Sequence, residues 1–228
     1  DFNDSPKQAE FRVRVQAWLA DNAKPKIDDE AVQRTPEEQV IEAKAWYKKK
    51  YDAGYACISW PKADGGAGLS QIEAVIWSQE VAKYDELDYF FTIGQGNCGP
   101  ALQAFAPADE KKKLLPRMAS AEDVWCQLFS EPSAGSDVAG LRTKAVQKGD
   151  NWIVNGQKIW TSGAHYSDYG VLVLRTDPDL PKLIVSEVFD LNKISNELPS
   201  MPNQRRIELS NLGLNEHQSE VLVDDVDL

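Results

Sequence analysis

Apolar residues in the first half of the chain recur at intervals of three and four positions, which is the spacing of one face of an α-helix. Three such runs are Phe11, Val15, Trp18 and Leu19; Val40, Ala43, Tyr47 and Tyr51; and Ile72, Ile76, Trp77 and Val81. Each run follows a hydroxyl residue (Ser5, Thr35 or Ser70) that has Gln or Glu three positions later, the pattern of a capping box. The chain is therefore predicted to begin with amphipathic helices.

Glycine interrupts this helical pattern at two places. Gly65, Gly66 and Gly68 form a Gly-Gly-x-Gly sequence that suggests phosphate binding, but no clear strand of a βαβ unit precedes it, so a connector is favoured. Three glycines within residues 93–100 predict a broken or tightly packed helix, and a further helix is expected over about residues 107–118.

From Val124 onward the pattern becomes that of strands. A β-prone run covers residues 124–129, and turn signals on both sides of residues 152–154 indicate hairpins. Further strands are predicted at 170–175, 183–191, 205–212 and 220–226. Helices followed by strands indicate an α+β fold, with a helical domain over residues 1–122 and a β domain over residues 123–228.

Composition and charge narrow the classes of partner. The 228 residues carry a formal net charge of −11, which argues against nucleic acid or an anionic membrane surface as the main partner, although local cations could still bind an anionic ligand. Three cysteines without a C-x-x-C pair suggest neither disulfides nor a zinc site, and buried free thiols in a reducing compartment are favoured. Neither a metal site, nor a membrane span, nor a signal peptide is predicted.

Two neighbouring segments carry candidate chemistry. In residues 129–137 a strand gives way to a loop in which Ser130 and Ser136 offer hydroxyls and Gly135 would free the backbone. In residues 158–163 the flat indole of Trp160 lies two positions from Ser162. Alone, the loop is a plain turn and the tryptophan belongs to a core strand. Together they predict a site for a polar heteroaromatic ring such as a flavin.

The string S-E-P-S-A-G-S-D, followed by N-G-Q-K-I-W-T-S-G-A and L-R-T-D-P, resembles the middle domain of the acyl-CoA dehydrogenase family. The resemblance covers most of residues 5–180 and thins over 192–219. It implies an N-terminal all-helical domain and a β-barrel-like middle domain. It also implies FAD-dependent α,β-dehydrogenation of a fatty acyl-CoA thioester, as in β-oxidation. A carboxylate base removes the α-proton, and the β-hydrogen leaves as hydride to the flavin.

The same resemblance places the cofactor along the two segments. Ser130 would bond the polar edge of the ring, Ser136 would lie near the phosphates and the bound substrate, Trp160 would cover the ring, and Ser162 would face its N5 atom. The implied cofactor-binding residues are Gln127, Leu128, Phe129, Ser130, Gly135, Ser136, Trp160, Thr161 and Ser162. Residues 91–99 would help to wall the acyl-chain cavity, and close helix packing over glycine is the alternative.

Other polar residues are weaker candidates. Glu131 and Asp137 flank the loop, and turn capping is favoured over a role as base. Since the family takes its base from a C-terminal helical domain, no catalytic residue is assigned in this chain. His165 has no relay partner nearby in the sequence, and His217 lies in the divergent stretch and is expected to be exposed. The run Lys48 to Lys50 is expected on a solvated helix face.

The resemblance leaves several functions open. The first is an acyl-CoA dehydrogenase of which this chain is the N-terminal and middle part, passing electrons to an electron-transfer flavoprotein. The others are a non-catalytic flavin- or acyl-CoA-binding subunit of a heteromeric dehydrogenase, and an acyl-CoA oxidase. Family members are dimers or tetramers, and the bacterial cytoplasm or the mitochondrial matrix is the expected location.

Overall fold

Three helices begin at the predicted capping boxes. A computed structural model describes residues 4–26, 35–176 and 184–190, the last range by its backbone only. At Ser5, Thr35 and Ser70 the hydroxyl accepts a backbone N–H three residues later, while Gln8, Glu38 or Glu73 accepts the N–H of the cap residue. The helices in the described ranges are α1 (Pro6–Asn22), α2 (Pro36–Asp52), α3 (Gln71–Val81), α4 (Gly99–Phe105) and α5 (Ala108–Ala119).

The predicted apolar faces form the helical core, with one exception on α3. Ile76, Trp77 and Val81 are buried against the buried face of α1, but Ile72 is 50% exposed. Ile72 lies in the first turn of α3. Besides the three apolar residues, the helix buries one charged residue, Glu80. This carboxylate can be buried because Arg12 and Lys83 bind its two oxygens at 2.7 and 2.5 Å.

The prediction that Lys48 to Lys50 lie on a solvated helix face is wrong for Lys50, which is 5% exposed. Its ammonium group pairs with Asp88 and lies 3.2 Å from Glu86. It also lies 4.9 Å from the centre of the Tyr47 ring. The charge is buried because two carboxylates and aromatic faces replace its water. Lys48 remains exposed and pairs with Asp52, as a solvated face requires.

In both glycine-rich stretches, a glycine allows the backbone to pack closely against a tryptophan side chain. Residues 62–64 form one turn of 3₁₀-helix, and the backbone of Gly66 lies against Trp60, where any side chain would collide. The predicted connector is therefore confirmed. Residues Gly94–Cys98 form a π-helical turn that runs directly into α4. A Cβ atom on Gly94 would lie 3.0 Å from that of Trp125, which confirms a tightly packed, irregular helix.

The second half of the described chain forms small sheets. The strands, after the short pair β1 (Lys24–Pro25) and β2 (Tyr84–Asp85), are β3 (Trp125–Leu128), β4 (Lys144–Lys148), β5 (Asn151–Asn155), β6 (Tyr169–Leu174) and β7 (Ile184–Asp190). Strands β3, β6 and β7 make one sheet in that order, with β3 parallel to β6, and β4 and β5 make an antiparallel hairpin. Helices followed by sheets are as predicted, and the described residues form no closed barrel.

Several predictions about the β region have different outcomes. Gly149 and Asp150 form the expected hairpin turn, with Gly149 at φ +63°. The signal at Asn155 and Gly156 forms no second hairpin, because residues 156–160 leave β5 without joining a strand. The strands predicted at 205–212 and 220–226, and His217, lie outside the described residues.

The chain divides into two compact units, Asp1–Phe189 and Asp190–Leu228. Both the helices and the strands β3 to β6 lie in the first unit. The predicted domain boundary at residue 122 falls in the turn between α5 and β3 and stays a prediction. Within the described ranges, no helix has the length and apolar character needed to cross a membrane.

Candidate functional site

The two segments singled out from the sequence lie side by side. Residues 129–137 leave the C-terminal end of β3, and three hydrogen bonds tie their start to the second segment. The N–H of Ile159 donates to the carbonyl of Ser130 at 3.0 Å. The ammonium group of Lys158 donates to the carbonyl of Phe129 at 2.9 Å and to Glu131 Oε1 at 2.7 Å.

Glu131 connects the two segments through its side chain. Its carboxylate is buried and also accepts the backbone N–H groups of Arg142 and Thr143, at 2.5 and 3.0 Å. Burial by itself raises the pKa of Glu131, but the hydrogen bonds from Lys158 and the backbone outweigh it and lower the pKa to about 2. A carboxylate so fully bonded is a poor base, so the structure supports the backbone-bonding alternative.

Asp137 also has a turn role. It precedes a 3₁₀ turn over Val138–Gly140, and its carbonyl accepts the N–H of Gly140 at 3.0 Å. A Cβ atom on Gly140 would lie 2.6 Å from Asp137 Oδ2, so the glycine makes room for this carboxylate. Glu131 thus has buried ion-pair and backbone partners, and Asp137 lies at the start of a turn.

The loop between these two carboxylates is open to solvent. Ser136 and Gly135 are exposed and Ser130 is half-buried. The φ of Gly135 is not in the left-handed region. A Cβ atom there would meet nothing within 4 Å. The glycine instead leaves bare backbone at an open surface, which a ligand could approach closely.

Trp160 is the most unusual residue of the second segment. It has a left-handed φ of +53° and its side chain is 83% exposed. A left-handed backbone costs a residue with a side chain about 1–2 kcal/mol. The alternative of a core strand is therefore wrong, because Trp160 is neither buried nor in a strand. An exposed indole on a strained backbone is a feature typical of a binding surface.

The chain after Trp160 is fixed by a tight turn. Thr161 is half-buried and Ser162 exposed, and Gly163 adopts φ +76° against the ring of Tyr166. The hydroxyl of Ser167 donates to the carbonyl of Gly163 at 2.8 Å. This turn holds the indole and the Ser162 hydroxyl at the surface beside the first segment.

The remaining predicted residues line the end of β3. Leu128 and Phe129 are half-buried and pack against core clusters, so they can act as walls rather than polar contacts. Gln127 is half-buried, and its Oε1 accepts Nδ2–H of Asn97 at 2.8 Å. His165 is exposed and its ring lies edge-on to Tyr166, 4.7 Å between centroids.

Two residues were missed as functional candidates. Lys158 carried no local signal for its ion pair, because its partner Glu131 lies 27 positions earlier in the sequence. Asn97 carried no signal, because only the fold brings residue 97 to residue 127.

The polar groups and the indole at this site match the chemistry of a flavin. Hydroxyls and exposed backbone can bond the polar edge and the phosphates, and the indole can cover an aromatic ring. In the described residues, no group of three or more His, Cys, Asp or Glu side chains could hold a metal ion. The hydroxyls and the indole are groups that could bind an organic ligand with hydrogen-bond acceptors and a flat ring.

Comparisons with known proteins identify the family of the chain. The model of the acyl-CoA dehydrogenase N-terminal domain matches residues 5–122, and that of the middle domain matches residues 126–225. The acyl-CoA dehydrogenase IpdE1 of Mycobacterium tuberculosis is 39% identical over 74% of this chain and 44% of its own length.

Solved structures show the same relationship. The ChsE4-ChsE5 complex from Mycobacterium tuberculosis matches with a TM-score of 0.61 and 30% identity, over 78% of this chain and 44% of that chain. The Tcur3481-Tcur3483 steroid ACAD matches with a TM-score of 0.60 and 28% identity, over 79% and 46%. The chain spans about half the length of these relatives. Since the two family models cover almost all of it, the chain belongs to the acyl-CoA dehydrogenase family and carries the family's N-terminal and middle domains.

Proposed function

We propose that this chain is the N-terminal and middle part of an FAD-dependent acyl-CoA dehydrogenase, which introduces a double bond between the α- and β-carbons of an acyl-CoA thioester. The observation that carries the proposal is the exposed, left-handed Trp160, held beside the loop of residues 129–137 by the ion pair of Lys158 and Glu131. The proposal includes a β-barrel-like middle domain over residues 123–228.

Each residue of the site has a role in holding the cofactor. Ser130, Ser136 and the open backbone at Gly135 bind its polar edge and phosphates, and Trp160 covers one face of the ring. Thr161 and Ser162 lie next to it, and Gln127, Leu128 and Phe129 form the wall. When bound, FAD supplies the capacity to accept hydride from the β-carbon. Ser136 also contacts the acyl-CoA substrate.

No described residue is proposed as the base that removes the α-proton. Glu131 has its oxygens occupied and a lowered pKa, and Asp137 belongs to a turn. The base is proposed to come from the C-terminal helical domain of the family. Electrons would pass to an electron-transfer flavoprotein, or to O₂ if the protein is an acyl-CoA oxidase. The bacterial cytoplasm or the mitochondrial matrix is the proposed location.

A second candidate function is a subunit of a heteromeric dehydrogenase. Two structural neighbours are named as pairs, ChsE4-ChsE5 and Tcur3481-Tcur3483, and the second is called a steroid ACAD. In such an assembly the partner could supply the missing base, and the acyl group could be derived from a steroid rather than from a fatty acid. This candidate differs from the first in needing a partner for activity.

A visible absorbance spectrum of the purified full-length protein tests the proposal. The oxidised flavin bands should appear, and they should bleach without oxygen when the acyl-CoA substrate is added. Fatty acyl-CoA and steroid side-chain CoA thioesters, each added with and without a co-expressed partner chain, separate the two candidates. A protein that takes up no flavin would contradict both.

A further inference from the structure

The π-helical turn Gly94–Cys98 lies directly on strand β3. Gly94 packs against Trp125, and the Cys98 thiol donates to the carbonyl of Cys126 at 3.4 Å. The side-chain NH₂ group of Asn97 donates a hydrogen bond to Oε1 of Gln127. Single π-helical turns are frequently found at functional sites.

The contact between Asn97 and Gln127 differs from the other two. Gly94 and Cys98 are buried, so they supply the packing that joins turn to strand. Asn97 is exposed and Gln127 half-buried, and an exposed hydrogen bond between neutral groups adds little stability. Its main effect is to fix which way the Gln127 carboxamide points.

A carboxamide has two different ends, an oxygen that accepts and an NH₂ group that donates. Because Asn97 donates to Gln127 Oε1, the NH₂ group of Gln127 is the end that remains free. No hydrogen bond to this NH₂ group is found among the residues that the structure describes. Gln127 also starts the run of residues proposed to line the cofactor.

We propose that Asn97 is a positioning residue that orients Gln127 so that its NH₂ group donates to an acceptor atom of the bound flavin. This inference rests on the proposed function and assigns a part of the flavin site to the helical half of the chain. A flavin ring presents several nitrogen and oxygen acceptors at its polar edge, which makes it a suitable partner for such a donor.

The substitution Asn97→Asp in the full-length protein reverses the orientation. A carboxylate only accepts hydrogen bonds, so Gln127 must turn its NH₂ group toward residue 97 and its oxygen toward the flavin. FAD affinity, measured by fluorescence titration of the apo protein, should fall about three- to tenfold. Asn97→Ala only frees Gln127 and should weaken binding about twofold. The melting temperature of each apo variant should change by less than about 2 °C.

Gln127→Leu provides the control for added negative charge. In this background Asn97→Asp should no longer weaken FAD binding, because no carboxamide is left to turn. An equal loss of affinity in both backgrounds would show a charge effect and overturn the inference. Wild-type affinity in Asn97→Asp, or a large drop in its apo melting temperature, would overturn it as well. A wild-type protein that binds no FAD would instead contradict the proposed function on which the inference rests.

Discussion

Lys158 and Glu131 form the most buried of the ion pairs between described residues, with side chains 8% and 3% exposed. Glu131 also accepts two backbone N–H groups, so the pair joins the segment of Lys158 to the loop and to the chain entering β4. Removing one partner of such a pair leaves an unpaired charge in a dry environment, which is more costly than losing a surface ion pair.

Lys158→Met should therefore lower the free energy of unfolding by about 3–5 kcal/mol. Lys48→Met is the matched control, because the Lys48–Asp52 pair is exposed on both sides, and it should change stability by less than about 1 kcal/mol. Urea unfolding of both variants makes the comparison. Equal small effects would show that the buried pair does not hold the junction together.

The lowered pKa of Glu131 predicts a specific pH dependence of stability. A carboxyl group with a folded pKa of about 2 and an ordinary value of 4.5 stabilises the fold above pH 4.5, and this contribution is lost as the pH falls toward 2. Unfolding of the wild type and of Glu131→Gln should be compared between pH 7 and pH 2. The stability difference should be constant above about pH 5 and shrink below it.

The comparison with Glu131→Gln isolates this carboxylate from the others. Glu80 also has a pKa lowered to about 2, but it is present in both proteins and cancels in the difference. A stability difference that does not change with pH would contradict the lowered pKa of Glu131.

At the scale of elements, the turn after Trp160 and the loop before Asp137 use glycine for different reasons. Gly163 has a left-handed φ of +76°, and a Cβ atom there would lie 2.7 Å from the Tyr166 ring. Gly135 has neither constraint. The first glycine is required by the fold, and the second leaves room for a ligand.

Gly163→Ala should accordingly destabilise the apo protein by about 1–3 kcal/mol, from backbone strain and the displaced ring. Gly135→Ala should leave apo stability within about 0.5 kcal/mol of the wild type but weaken FAD binding. Melting curves of the apo proteins and FAD titrations check both statements. Loss of apo stability in Gly135→Ala, or wild-type FAD affinity in it, would contradict the assignment of an open ligand surface.

Local elements were predictable because their causes are local. The three capping boxes and the hairpin turn at Gly149 depend on residues a few positions apart, and the structure has them where the sequence placed them. The burial of Lys50 depends on partners distant in the sequence, Glu86 and Asp88. Periodicity along the chain carries no information about those partners. The candidate site was predicted through its motifs, whereas its ion pair and the Asn97 contact became visible only in the fold.

At the scale of the whole molecule, large apolar side chains are left uncovered. Phe105 is 75% exposed and Ile41 71% exposed, besides Trp160. Large contiguous apolar patches mark sites for a ligand or another chain, whereas apolar residues exposed singly are normal.

As the resemblance to the family implies, the full-length protein is expected to be a dimer or a tetramer, alone or with a partner chain. Light scattering at micromolar concentration measures its mass in solution. A single full-length chain that remains monomeric, both alone and when co-expressed with its partner, would contradict this expectation.

The central claim is that FAD binds where residues 129–137 meet Trp160. The most direct measurement is FAD titration of the full-length protein and of Trp160→Ala, together with melting curves of both apo proteins. Because the indole is 83% exposed, the apo melting temperatures should agree closely. FAD affinity should fall several-fold, since stacking on an aromatic face is worth about 1 kcal/mol. Equal FAD affinity in the two proteins, or a wild-type protein that does not bind FAD, would contradict the account.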